Sequence, residues 1–280
     1  MRFKEEQIVF ICALLSLPLM LLMLPLMLVA RFGRPRRGVR IALTVSNRWP
    51  AYLQFIRLPY DLAILRAGAK VVTIAPSNIK NINKLLDRVD AVIISGGEDI
   101  APEDRNDKQN APNLNLNRDA LERAVLKEAD KREIPLLCIC RGMQLLSLSH
   151  KGAIVCHDDD SELCKTHKTT LRTLGKHIVR IEQATRLSGI FNKDDIHVNS
   201  LHHQHVTDPG NLKISGRSPD GVIEAVEADG ERFVLGVQWH PELQAIFEFK
   251  EERIFKTLVD HAVKWKNKKQ INPSKIIKRL

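Results

Sequence analysis

The chain has 280 residues and a formal net charge of +10. Beyond an apolar N-terminal segment, it is long enough for one well-buried α/β domain. Five cysteines, an odd number at irregular spacing, exclude a small disulfide-rich scaffold and favour reduced thiols in a reducing compartment. They are Cys12, Cys138, Cys140, Cys156 and Cys164.

Residues 8–30 form an uncharged run, rich in Leu and Met, that is long enough to span a bilayer. A cleaved signal peptide is the alternative, but Leu28-Val29-Ala30 is a poor cleavage site. We therefore expect one N-terminal transmembrane helix as a retained anchor. Five arginines follow the run, whereas the charges before it cancel, so the positive-inside bias places the large C-terminal part of the chain on the cytoplasmic side of the membrane. These arginines are Arg31, Arg34, Arg36, Arg37 and Arg40.

Strands and helices alternate through the first half of the chain after this basic linker. The pattern predicts strands over 39–45, 70–75, 91–95 and 134–139, with helices over 60–67, 82–89 and 118–132. Such alternation is typical of a doubly wound, mostly parallel α/β sheet. Ligands bind at the carboxyl ends of the strands in such sheets, where Gly97 and Cys140 both fall.

The second half of the chain consists mainly of short strands, which predict a small antiparallel extension of the main sheet. These strands cover 177–182, 196–198, 212–218, 222–227 and 233–237, with a helical piece at 184–190 and a last helix over 244–264. We therefore expect three parts: a membrane anchor and linker over 1–38, a catalytic domain over 39–266, and a basic tail over 267–280. The tail is a solvated helix end or a contact with anionic lipid headgroups.

Cys140 occupies the corner between a buried apolar strand and a helical pattern that starts at Arg141. A cysteine there is placed as in a nucleophile elbow. The helix N-terminus favours the thiolate, and the N–H of Arg141 can stabilise an oxyanion. The alternative is an inert buried thiol.

His240 and Glu242 follow the end of another apolar strand. A cysteine nucleophile needs a base within hydrogen-bond reach, and the base needs an orienting partner. An imidazole and a carboxylate two residues apart in an extended segment fit those two roles.

Five ordered motifs resemble those of the class I glutamine amidotransferase-like superfamily, and within it the gamma-glutamyl-gamma-aminobutyrate hydrolase family. The resemblance covers roughly Val39 to Trp265. The motifs are Ser95-Gly96-Gly97-Glu98-Asp99-Ile100-Ala101-Pro102, Arg118-Asp119, Cys140-Arg141-Gly142-Met143-Gln144, Val198-Asn199-Ser200-Leu201-His202-His203-Gln204 and Gly236-Val237-Gln238-Trp239-His240-Pro241-Glu242.

The resemblance implies a flavodoxin-like fold and a Cys140–His240–Glu242 triad. It implies an oxyanion hole made by the backbone N–H groups of Gly97 and Arg141. Substrate would be bound by four residues, Gly96, Gln144, His203 and Gln204. The implied activity is hydrolysis of a gamma-glutamyl amide, such as gamma-glutamyl-gamma-aminobutyrate, in the breakdown of polyamines such as putrescine.

Two rival functions remain open at this point. A glutaminase subunit would use the same chemistry to supply ammonia to a synthase partner. A catalytically degenerate, membrane-tethered scaffold would be no enzyme, and two departures from the family pattern could mark it. Cys138 stands where the family usually has glycine, and Lys151-Gly152 replaces a Gly-Gly pair.

We expect no metal and no cofactor. Cys156, His157, Cys164 and His167 could suggest zinc, but their spacing does not match a structural zinc site, so a mobile polar loop is favoured. His202, His203 and His205 are better explained as pocket and strand-end residues. The expected partners are a small-molecule gamma-glutamyl substrate and the membrane, with no nucleic acid; a homodimer is compatible with the sequence.

Overall fold

A computed structural model describes residues 37–47, 57–101, 114–156, 167, 176–246 and 248–271. The helices are α1 (Leu58–Arg66), α2 (Ile82–Leu86), α3 (Leu116–Lys131), α4 (Arg141–Ser149), α5 (Arg186–Phe191), α6 (Pro241–Gln244) and α7 (Glu252–Ile271), with a 3-10 helix at Pro76–Asn81. The strands are β1 (Arg40–Thr44), β2 (Lys70–Ile74), β3 (Ala91–Ile94), β4 (Leu136–Ile139), β5 (Ala153–Cys156), β6 (Lys176–Ile181), β7 (Asp195–Asn199), β8 (Gln204–Asp208), β9 (Lys213–Arg217), β10 (Ile223–Glu227) and β11 (Val234–Val237).

All of these strands belong to one mixed sheet. Its main order is β2-β1-β3-β4-β11-β10-β9-β6-β7, and β8 joins β10 and β5 beside that path. The strands from β2 to β11 pair in parallel, whereas β10 and the strands beyond it pair antiparallel. The predicted parallel sheet with an antiparallel extension, and with it the flavodoxin-like fold, is confirmed.

Helices cover both faces of the parallel part of the sheet, because alternate strand residues point to opposite sides. In β1, Ile41 and Leu43 belong to the same buried cluster as the apolar faces of α1 and α7. Ala42, between them, belongs to the cluster that contains the apolar faces of α3 and α4. The central strands therefore carry apolar residues at every position, which is why they read as continuous apolar runs.

The carboxyl ends of three central strands lie side by side. Ile94 of β3 pairs with Cys138 of β4, and Ile139 of β4 pairs with Val237 of β11. The chain continues from these ends to Gly96, Cys140 and His240 respectively. Three segments that are far apart in the sequence are thus brought to one edge of the sheet.

Three local features differ from the sequence-based expectation. Strands β5 and β8 were not predicted; in β8, Gln204 and His205 are buried polar residues, so its pattern does not read as an apolar strand. The last helix was predicted as one element over 244–264. It is two helices: α6 ends at Gln244, and α7 begins at Glu252 and continues to Ile271.

The prediction of a transmembrane helix is wrong. Within the part of the chain that the structure describes, no helix combines the length and the apolar character needed to cross a membrane. The longest, α7, has 20 residues but carries many charged side chains. Residues 8–30, on which the prediction fell, lie outside the described residues. The predicted membrane localisation, with the catalytic domain on its cytoplasmic side, rested on this helix and is corrected with it.

The turn that ends α4 holds a lysine in a conformation that glycine adopts more easily. Lys151 has a φ of 68°, in the left-handed region that costs other residues roughly 1–2 kcal/mol. The chain turns back here from α4 into β5, and the peptide of Gly152 donates a hydrogen bond to the carbonyl of Ser147 at 2.8 Å. One departure from the family pattern is therefore also a site of backbone strain.

Lys151→Gly should stabilise the fold. Relief of the left-handed strain exceeds the extra chain entropy of glycine, so we expect a gain of about 0.5–1 kcal/mol in the free energy of unfolding. Lys151→Ala is the control, because it removes the charge but keeps the Cβ. Urea unfolding of the three proteins measures the effect. A Lys151→Gly protein no more stable than Lys151→Ala would contradict the strain assigned here.

Candidate active site

Cys140 lies at a sharp corner between β4 and α4. Its backbone has φ 52° and ψ −112°, a combination that non-glycine residues rarely adopt and that costs of order 1–3 kcal/mol. The N–H of Cys140 donates to the carbonyl of Val237 in β11 at 2.7 Å, which holds the corner to the neighbouring strand. At Gly142, a Cβ would overlap the carbonyl oxygen of Ile94, so only glycine allows α4 this close to β3.

His240 and Glu242 form a hydrogen-bonded pair beyond the end of β11. The imidazole Nδ1 is 2.6 Å from the carboxylate Oε1 of Glu242, whose side chain is only 2% exposed. The Asn199 amide fixes the backbone of His240 twice: it accepts from the His240 N–H and donates to the His240 carbonyl, both at 2.8 Å. Since Nδ1 faces a carboxylate, Nε2 is left for proton transfer.

Gly96 lies between the imidazole and the cysteine. A Cβ built on Gly96 would come within 2.6 Å of Cε1 of His240 and 3.4 Å of the Cβ of Cys140. Burial opposes protonation of His240, but the negative charges of Glu242 and of the Cys140 thiolate, together with its hydrogen bonds to both, outweigh that cost. The pKa of His240 is raised well above 6.5 as a result. The arrangement therefore favours the protonated imidazole of His240 beside Cys140.

Two further residues complete the polar surroundings, and no signal in the sequence pointed to either role. The hydroxyl of Tyr60, from α1, accepts a hydrogen bond from the N–H of Gly96 at 3.0 Å. Burial, and next the charge of Glu242, raise the pKa of Tyr60 well above 10.0, so its proton is retained. The amide Nε2 of Gln238 lies 3.6 Å from Sγ of Cys140 and donates to it.

Arg118 supports the loop that carries Gly97. Its guanidinium donates to the carbonyls of Ser95 and Gly96 at 3.0 and 2.8 Å, and a Cβ on Gly97 would collide with it. On the other side of the cysteine, Arg141 turns its own guanidinium into the core, where it pairs with Asp119 and Glu122 of α3. Helix α3 thus holds both segments that carry the predicted oxyanion donors, the N–H groups of Gly97 and Arg141.

Glu122 is the shared partner of the two arginines. Its carboxylate accepts from Nε of Arg118 at 2.9 Å and from the hydroxyl of Thr44 at 2.6 Å, and it also pairs with Arg141. Burial works against ionisation, but the two guanidinium charges lower the pKa of Glu122 below its usual value. The sequence identified Arg118-Asp119 as a motif but assigned Glu122 no role.

The structure distributes the four predicted substrate-binding residues unevenly. Gly96 lies against the candidate catalytic pair. Gln144 is buried and donates to the carbonyl of Gln204 at 2.7 Å. The side chain of Gln204 accepts from the N–H of Ile100 at 3.1 Å and is buried too. The side chain of His203 is 28% exposed, and its Nε2 lies 3.0 Å from Asp99.

Comparison with known proteins gives a consistent family assignment. Residues 39–242 match the family model described as Peptidase C26. A glutamine amidotransferase-like protein of Rickettsia prowazekii is 36% identical, covering 75% of this chain and 91% of that protein. The gamma-glutamyl-gamma-aminobutyrate hydrolase of Escherichia coli is 31% identical, covering 68% of this chain and 79% of the hydrolase. Among solved structures, the glutaminase domain of Trypanosoma brucei CTPS has a TM-score of 0.60 at 17% identity over 81% of this chain and 94% of that domain, which supports the fold.

Glu98→Gln should test the support of the Gly96-Gly97 loop. Burial alone would raise the pKa of Glu98. The charge of Arg118 and the hydrogen bond from the Ser46 hydroxyl have the larger, opposite effect and lower that pKa from 4.5 to about 2. Since this pKa is depressed, the ionised carboxylate stabilises the fold at neutral pH and that stability is lost as the pH falls from about 4.5 towards 2. Glu98→Gln should be about 1.5–3 kcal/mol less stable at pH 7, and the difference should shrink over that range.

Urea unfolding at a series of pH values measures this difference, with exposed Glu231→Gln as the control. A stability difference that did not change between neutral and acidic pH would argue against the Glu98–Arg118 interaction.

Proposed function

The chain belongs to the Peptidase C26 family of class I glutamine amidotransferase-like proteins, and on that premise we propose that it is a cysteine-dependent hydrolase of gamma-glutamyl amides. One observation carries the proposal. A strained cysteine at a strand–helix corner lies beside the same glycine as a histidine whose other nitrogen is 2.6 Å from a buried carboxylate. Backbone strain of this kind is typical of a nucleophile at a strand–helix corner, and it would serve no purpose in an inert core thiol.

The proposed reaction has two stages. His240 takes the proton of Cys140, and the thiolate attacks the carbonyl carbon of the gamma-glutamyl amide. The oxyanion then accepts hydrogen bonds from the N–H groups of Gly97 and Arg141. His240 returns the proton to the departing amine as the C–N bond breaks, leaving a glutamyl thioester. Water, deprotonated by His240, attacks the thioester and releases glutamate, and the sulfur recovers its proton.

Glu242 orients His240 and stabilises its charged form. The Asn199 amide fixes the backbone of His240, so the ring pivots only about its own side-chain bonds. Tyr60 connects the two sides of the site, because its hydroxyl binds the N–H of Gly96 and lies beside Glu242. These contacts would keep the imidazole near the thiol through both proton transfers.

The gamma-glutamyl specificity rests on the relatives and on the polar residues around Gly96. The Escherichia coli relative is a gamma-glutamyl-gamma-aminobutyrate hydrolase, which suggests a gamma-glutamyl amine and, more remotely, a place in polyamine breakdown. Gln144 and Gln204 are buried, with the Gln144 amide bound to the Gln204 carbonyl, and would form the floor of the pocket. His203 and Asp99 would contact the substrate from the open side.

A glutaminase that supplies ammonia to a synthase is the second candidate. It is favoured by the fold similarity to the glutaminase domain of Trypanosoma brucei CTPS and to a GMP synthase subunit of Thermoplasma acidophilum. Comparing glutamate release from gamma-glutamyl-gamma-aminobutyrate and from glutamine separates the two. A homodimer remains a prediction from the sequence, since the structure contains a single chain.

Cys140→Ala should abolish glutamate release from gamma-glutamyl-gamma-aminobutyrate while leaving the fold intact. Cys138→Ala is the matched control two residues away. Cys138 is fully buried, and burial followed by the charge of Glu122 raises the pKa of its thiol well above 9.0, so it stays protonated. A coupled assay for glutamate measures both. Activity in Cys140→Ala with loss in Cys138→Ala would overturn the nucleophile assignment. Absence of activity in the unmodified chain on any gamma-glutamyl amide would favour the degenerate scaffold.

Glu242→Gln should impair turnover without abolishing it, and should move alkylation of Cys140 to higher pH. Because the charge of Glu242 raises the pKa of His240, its removal destabilises the imidazolium and therefore the paired thiolate. The pH profile of iodoacetamide alkylation should shift towards alkaline pH. Glu248→Gln is the control, since it changes a carboxylate outside the pair. An unchanged profile in Glu242→Gln would show that another group orients His240.

A further inference from the structure

Three histidines and a glutamate meet inside the antiparallel extension, apart from the candidate active site. His167 belongs to the connection between β5 and β6, His177 to β6, His202 to the turn before β8, and Glu224 to β10. The sequence grouped His167 with Cys156, His157 and Cys164, and favoured a polar loop over a metal site there; of these, His157 and Cys164 lie outside the described residues. The structure gives His167 different neighbours.

The distances around Glu224 match those between the ligands of a tetrahedral metal ion. Its Oε1 lies 3.1 Å from Nε2 of His177, 3.5 Å from Nδ1 of His167 and 3.6 Å from Nε2 of His202. With zinc bonds of roughly 2.0–2.1 Å, neighbouring ligand atoms are separated by about 3.3–3.4 Å. The ligand atoms of His167, His177 and Glu224 all lie within 4.8 Å of one another. His202 lies outside that group and is included because of its distance to Glu224.

The hydrogen bonds on the far sides of the rings decide which nitrogens carry protons. Nδ1 of His202 lies 3.1 Å from the carbonyl oxygen of Gln204, which can only accept, so in the neutral ring Nε2 is a bare lone pair. Nε2 of His167 lies 2.9 Å from the carboxylate of Asp220, so its Nδ1 is likewise a lone pair. Both lone pairs face Glu224.

Among the described residues, no donor of acceptable geometry answers these converging acceptors. The carboxylate oxygens of Glu224 and both nitrogens of His177 are buried without a well-directed hydrogen bond, as is Nε2 of His202. The Ser200 hydroxyl lies 3.2 Å from Nδ1 of His167 as well as 2.8 Å from the His167 carbonyl oxygen. Its single proton goes to the shorter contact, the carbonyl, which leaves Nδ1 as an acceptor. Glu224 itself has no exposed surface. A buried carboxylate that faces imidazole lone pairs needs a proton or a cation between them, and a single metal ion would satisfy all of these atoms at once.

We propose that His167, His177, His202 and Glu224 bind a divalent transition-metal ion, most suitably Zn²⁺, as a closed structural site. Imidazole and carboxylate ligands suit zinc, and four protein ligands leave no open position for catalysis. Asp220 holds His167 through the ring nitrogen opposite the ligand atom, as carboxylates do for metal-bound histidines. The two positive charges of the ion would balance the negative charges of Glu224 and Asp220. The site would fasten β6, β10 and the turn before β8 to the connection that contains His167.

The test uses the full chain, purified without a histidine tag or chelator. About one equivalent of zinc per chain is expected. After its removal, Co²⁺ should bind at one equivalent with the visible absorption of a tetrahedral ion and without a thiolate-to-cobalt charge-transfer band, which excludes the cysteines. Zinc should also raise the thermal unfolding midpoint of the stripped protein.

Variants locate the ion. Glu224→Gln and His177→Ala should weaken Co²⁺ binding by more than 10-fold, and Asp220→Asn by about 10–100-fold. His197→Ala, which changes an exposed histidine on the adjacent strand β7, should bind as the unmodified chain does. Unmodified protein that neither retains zinc nor gives the tetrahedral cobalt spectrum overturns the proposal whether or not the variants fold. A charge-transfer band, or full binding by Glu224→Gln, overturns it as well.

Discussion

Two buried guanidinium groups share one carboxylate, Glu122, below the candidate active site, and the segments on both sides of Cys140 depend on it. Arg118 connects that carboxylate to the carbonyls of Ser95 and Gly96. Arg141, the residue directly after the cysteine, pairs with the same carboxylate. A buried ion group of this kind is costly to break, since removal of one partner leaves an uncompensated charge. The network therefore fixes the spacing between the glycine loop and the elbow.

The strain at Cys140 can persist because the surroundings determine its backbone from several directions. Its N–H is bound to Val237 of β11, and α4 approaches β3 closely at Gly142. The candidate base is fixed separately, by Asn199 and Glu242. These contacts come from the ends of β3 and β11 in the parallel sheet and from Asn199 at the end of β7. The register of β3, β4 and β11 is thus the link between the fold and the proposed chemistry.

Local sequence signals predicted the features that depend on neighbouring residues. The apolar run before Cys140, the glycine pair at Gly96 and the His240-Pro241-Glu242 sequence each carry their information within a few positions. Features that depend on distant contacts were missed. Tyr60 reaches Gly96 from α1, and Glu122 acquires its role only where two arginines converge on it.

Burial of polar residues caused a second group of errors. In β8, Gln204 and His205 are polar residues that the fold buries, and the Gln204 side chain accepts a hydrogen bond from the N–H of Ile100, so hydrophobic periodicity could not reveal the strand. The histidines around Glu224 come from separate segments, so their proximity depends on the fold and could not be predicted from the sequence. Conversely, the apolar run at 8–30 predicted a membrane helix, and no described helix has that character.

The central claim is that Cys140 carries the glutamyl group during turnover. Acid quenching of the enzyme during steady-state hydrolysis of a gamma-glutamyl amide, followed by peptide mass spectrometry, tests it most directly. We expect a glutamyl adduct on the peptide that contains Cys138 and Cys140, and fragmentation should assign it to Cys140. As a thioester, the adduct should be lost on treatment with hydroxylamine. An adduct on another residue during measurable turnover would contradict it.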